Sequence, residues 1–97
     1  MIPKQVKNEK KFQELRAGII LADKTHKKVT TIKTTLLALA SDSDLRKLQA
    51  TLRANNGIPV YKASETALQT LENNINSLLH ALSNARIILT QQAKHHE

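Results

Sequence analysis

Apolar and polar positions alternate with a helical period along most of the chain. Phe12, Leu15, Ile19 and Ala22 recur at spacings of three and four, which brings them to one side of a helix over residues 4–22. Val29, Ile32, Leu36 and Leu39 carry an apolar stripe onward at the same spacings. Between them stands Asp23-Lys24-Thr25-His26, where Asp23 or Thr25 is a candidate cap for a new helix. The pattern therefore predicts a kink or break near residues 23–26. The β-branched run Val29-Thr30-Thr31-Ile32 and the pair Thr34-Thr35 lose side-chain freedom in a helix. A strand there has no evident partner, so helix remains the expectation.

Ser41-Asp42-Ser43-Asp44 is a start signal, with Ser41 and Asp44 in the spacing of a capping box. Leu45, Leu48 and Leu52 follow, and Asn55-Asn56-Gly57 predicts the end of a helix over about residues 43–55, with Gly57 in the left-handed conformation. Pro59 opposes continuation, which leaves Asn55–Tyr61 as the main irregular connection. Ser64 is a candidate cap for a long last helix over residues 64–93. Leu68, Leu71, Ile75, Leu78, Leu82, Ala85 and Leu89 form its heptad seam. Its other side, with Gln69, Glu72, Asn73, Asn76, Ser83 and Asn84, is rich in amides. The tail Lys94-His95-His96-Glu97 is expected to fray. Short connections make sequential helices antiparallel neighbours. The expectation is an all-α fold, an antiparallel bundle of three or four helices with a long C-terminal helix, in one domain spanning residues 1–97.

Composition narrows the chemistry. Two glycines and two prolines cannot supply the turns of an all-β fold, and the absence of cysteine removes disulfides, thiolate metal sites and a cysteine nucleophile. No apolar run reaches the roughly 18 residues that span a bilayer, and Met1–Lys7 lacks a signal-peptide core. A cytoplasmic protein, with membrane association through its basic face, is the expectation. The formal charge of +7 is unevenly placed: residues 1–40 hold nine Lys or Arg against Glu9, Glu14 and Asp23, and residues 41–97 hold nearly balanced charge. That field suits nucleic acid, anionic lipid or an acidic partner; a plain solubilising face is the simpler alternative.

Groups able to converge on a reaction are few. His26 and His80 lack a partner at helical metal-pair spacing, and His95-His96 is a terminal pair. Asp42 and Asp44 are explained by capping, and Glu65 and Glu72 have no second carboxylate pair opposite them. Gly18 and Gly57 stand outside any phosphate-binding motif. No catalytic, cofactor-binding or metal-ligating set is expected, so neither is an enzyme. Nucleic-acid readers stack bases on aromatic platforms, and Phe12 and Tyr61 are the only aromatics. A protein partner fits better, with a basic set of Lys24, Lys27, Lys28 and Lys33, an apolar set of Ile58, Val60 and Tyr61, and Arg86 on the amide-rich helix as candidate contacts. The simpler expectation for Ile58 and Val60 is that they fold inward and close the end of the bundle.

One arrangement resembles a known family. Asp44-Leu45-Arg46-Lys47-Leu48 followed by Gly57-Ile58-Pro59-Val60 is similar to the helix, Pro-Val loop and further helix of small basic immunity proteins that protect lactic-acid bacteria from their own pediocin-like bacteriocins. The resemblance covers less than a quarter of the chain. It implies a helical bundle in the cytoplasm, recognition through the C-terminal half, and a membrane receptor complex as partner. Small secreted helical hairpins of the WXG type share the length, but no Trp precedes Gly57.

Overall fold

The computed structural model describes residues 3–95, with side chains described from Glu9 to His95. The predicted contributions of Lys4, Lys7 and His96 lie outside the described side chains. Three helices account for the fold: α1 (Pro3–Ala40), α2 (Ser43–Ala54) and α3 (Ile58–His95). Packing divides the chain into two compact units. One combines Met1–Lys28 with Leu78–Glu97, and the other is Val29–Ser77. Among the described residues no helix is long and apolar enough to cross a membrane.

The predicted break at residues 23–26 is absent, and α1 runs through it. Asp23 is not a cap: its Oδ1 accepts from the Arg86 Nε at 2.8 Å. The stripe is also more regular than its apolar members alone reveal. Phe12, Leu15, Ile19, Ala22, His26, Val29, Lys33 and Leu36 are half-buried or buried, and their spacing of three and four matches a heptad seam; Gly18 and Asp23 beside them are half-buried as well. His26 and Lys33 occupy seam positions that a count of apolar residues skips. Within the helix, two threonine hydroxyls turn back on the backbone. Thr34 Oγ1 donates to the Thr30 carbonyl and Thr35 Oγ1 to the Thr31 carbonyl, each at 3.1 Å.

In the first unit, Gly18 and Asp23 of α1 meet Leu89 and Arg86 of α3, so rising numbers on one helix face falling numbers on the other. Gly18 admits a side chain rather than a backbone: a Cβ there would stand 3.0 Å from Leu89 Cδ1. Leu15, Ala22 and Ala93 are buried in this unit, and Val29 is buried in the second.

In the second unit, α2 begins at Ser43 as predicted, but Ser41 is not its cap. Asp42 is the N-cap, with an extended backbone and a side chain that accepts from the Leu45 amide at 3.0 Å. At the other end Asn56, at φ 64°, takes the left-handed conformation assigned to Gly57 from sequence. Gly57 is needed for proximity instead. Its amide donates to the Leu52 carbonyl at 2.6 Å, the long bond of a Schellman ending. A Cβ at Gly57 would lie 2.8 Å from that same carbonyl oxygen. The broad loop to Tyr61 does not exist either. The Tyr61 amide already donates to the Gly57 carbonyl, so Pro59 sits in the first turn of α3, where no amide is required of it.

Ser64 is therefore interior to α3, not its cap. Its hydroxyl donates to the Tyr61 carbonyl and accepts from Gln49 Nε2, tying α2 to α3. Arg53 lies over the Tyr61 ring, 5.3 Å from its centre, and adds a second tie. The inward side of α3 also departs from the predicted seam. Leu68, Ile75, Leu82, Ala85 and Leu89 are half-buried, but Leu71 and Leu78 are exposed at 50% and 46%, and Glu72 and Leu79 are half-buried instead. The helix continues through Lys94 and His95, which were expected to fray.

Candidate functional site

The second unit exposes an apolar groove between α1 and α3. Thr31, Ile32, Thr35, Leu36 and Leu39 form one bank and Leu71 and Ile75 the other, around about 350 Å³ open to solvent. Helical geometry places these side chains together: Ile32, Leu36 and Leu39 are four and three residues apart, and Leu71 and Ile75 are four apart. No charged side chain lines the groove. Its polar atoms are threonine hydroxyls, and that of Thr35 is engaged with the Thr31 carbonyl.

The groove is bare because α2 packs on the other side of the same two helices. There Gln49 of α2 joins Leu36, Leu37, Ala40, Glu65, Leu68, Gln69 and Glu72 around a smaller and more polar hollow of about 210 Å³. The half-buried residues of α2 are Leu45, Gln49 and Leu52, and Leu48 faces outward. One short helix shields one side of the pair and leaves the opposite leucines and isoleucines in water. Ile32 is 55% exposed, and Leu39 is 46% exposed.

The candidate contacts named from sequence fall on both units. Lys24, Lys27 and Lys28 are exposed on α1 in the first unit, and Lys33 is half-buried on the α1 seam of the second. Arg86 is engaged with Asp23. Ile58 and Val60 do not fold inward: they project from the first turn of α3, 48% and 59% exposed, while Tyr61 is half-buried beneath Arg53. A shallow hollow beside Ile58 is lined by Ala50, Arg53 and Ala54 of α2. Among the described residues no group of three His, Asp or Glu side chains could hold a metal ion.

The groove itself was missed because Ile32, Leu39 and Leu71 were all assigned to inward seams. One signal was available: Leu37 stands beside the row Val29, Ile32, Leu36 and Leu39 and widens the apolar stripe of α1. Such a stripe is broader than a single seam needs. No family model, curated protein or solved structure matches the chain.

Proposed function

We propose that the protein is a non-enzymatic binding protein, an antiparallel three-helix bundle whose groove in the second unit receives an apolar helix from a protein partner. The observation that supports this reading is the uncharged groove bounded by Ile32, Leu36, Leu39, Leu71 and Ile75 on the side away from α2. Helix-in-groove recognition uses anchors three, four and seven residues apart, and the two banks offer apolar surface along parallel rows. Each half-exposed Ile or Leu covered by a partner adds about 1 kcal/mol. Ile32, Leu39 and Leu71 together therefore contribute roughly a hundredfold in affinity.

A photo-crosslinking amino acid at Thr35 should capture a discrete protein from cells expressing the chain. Leu71→Glu should abolish that adduct while helical circular dichroism is retained, since Leu71 is already half in water. An adduct that persists in Leu71→Glu would sink this reading. Protection against a bacteriocin is a narrower form of the same proposal. It is supported by Asp44–Leu48 and Gly57–Val60, which here form α2's beginning and the entry to α3. Expression in bacteriocin-sensitive cells should raise survival, and no gain across a panel of pediocin-like peptides removes it.

A further inference from the structure

The first unit carries a different surface, on the side of α1 away from its seam. Ala17, Ile20, Leu21, Lys24, Lys27 and Lys28 follow one another at offsets of three, four, seven, ten and eleven residues, which places them on one face of α1. All six are exposed. Ile20 is 53% exposed and Leu21 is 62% exposed, and they stand one turn before Lys24 and two turns before Lys27 and Lys28.

Between Ala17 and Lys28 this face holds no carboxylate, and Glu14 borders it one turn before Ala17. Among the described side chains of α1 the acids are Glu9, Glu14 and Asp23. Asp23 is drawn to Arg86 at 2.8 Å, and Glu14 lies 3.4 Å from Lys11. Glu9 precedes the face by two turns. Exposed aliphatic and cationic side chains therefore stand together on this face.

We propose that this face lays the protein on an anionic membrane surface, with Lys24, Lys27 and Lys28 among phosphate headgroups and Ile20 and Leu21 entering the acyl boundary. The combination decides between candidate anions. Lysines alone would serve a nucleic-acid backbone equally well, but two exposed aliphatic side chains gain nothing from phosphodiester and water. They gain free energy on entering lipid. Base stacking has no platform here either, because Phe12 lies under Arg16 and Tyr61 under Arg53. A lysine near an anionic leaflet strengthens binding by roughly fivefold, so three give about a hundredfold, weakened by salt.

The chain has no tryptophan, so Leu21→Trp makes this face its own reporter. Vesicles of phosphatidylglycerol and phosphatidylcholine should shift the Leu21→Trp emission to the blue and sediment the unsubstituted chain. Pure phosphatidylcholine should do neither. Replacing Lys24, Lys27 and Lys28 together by Gln should lower vesicle affinity about a hundredfold. Ile20→Ser with Leu21→Ser should lower it about tenfold and leave any gel shift of duplex DNA or RNA unchanged. Circular dichroism checks that each variant is helical. No blue shift at low salt, equal binding to neutral vesicles, or vesicle binding indifferent to the two serines would overturn the proposal. Nucleic acid bound more tightly than anionic vesicles would reassign the face to phosphodiester.

Discussion

The two units solve the same packing problem with different means. The first packs α1 on α3 around buried Leu15, Ala22 and Ala93, with Leu89 against Gly18 and an ion pair between Asp23 and Arg86. The second has a third helix, yet Val29 is its buried apolar residue and α2 buries none. Its leucines are larger, half-covered and partly turned to water. Adding a helix to one side of a pair does not by itself complete a core. The first unit buries Leu15, Ala22 and Ala93, whereas the second leaves Ile32, Leu39 and Leu71 about half in water.

The sharpest break in that comparison comes from truncating one leucine in each unit. Leu15→Ala should destabilise the chain by about 3 kcal/mol, because a side chain 5% exposed leaves a cavity behind. Leu39→Ala, at 46% exposed, should cost under about 1 kcal/mol. Urea unfolding of both variants measures the contrast, and equal losses would mean that the groove is as structural as the seam.

Gly57→Ala should cost about 2 kcal/mol, since its Cβ would press on the backbone carbonyl of Leu52 as well as on the Leu52 side chain. Gly18→Ala is its counterpart in the first unit. The contact there is the tip of Leu89, and the gain in helix propensity of roughly 1 kcal/mol offsets it. Thermal melts should therefore fall clearly for the first variant and change little for the second. Asp42→Ala should remove about 1 kcal/mol by leaving the Leu45 amide without its carboxylate. Hydrogen exchange should then accelerate in the first turn of α2 and not at Gly18. Asp23→Asn should have a small effect, under about 1 kcal/mol and fading with salt, because both partners are about half exposed.

Much of this architecture is legible in the residues. Leu15, Ala22, Val29, Leu36, Ile75, Leu82 and Leu89 were placed inward by spacing alone, and the Asn-Asn-Gly ending of α2 stands where predicted. What misled was chemistry open to two readings. Asp23 resembles a cap until Arg86 is seen to hold it, and Pro59 resembles a stop although a first turn accepts it. Gly57 resembles a left-handed ending although Asn56 takes that conformation. The candidate surfaces were half legible: Lys24, Lys27 and Lys28 were named, but not the Ile20 and Leu21 beside them, nor the groove at Ile32, Leu39 and Leu71.

Local periodicity and composition determined that this chain is helical, that its seams are aliphatic, and that its lysines gather early. Helix propensity and spacing act over a few residues, so they are written directly in the order of side chains. Which of two neighbouring apolar rows turns inward, and which acid is neutralised, was decided only by tertiary structure. Those choices depend on partners distant in sequence: Leu89 for Gly18, Arg86 for Asp23, and α2 on one side of the α1–α3 pair in the second unit.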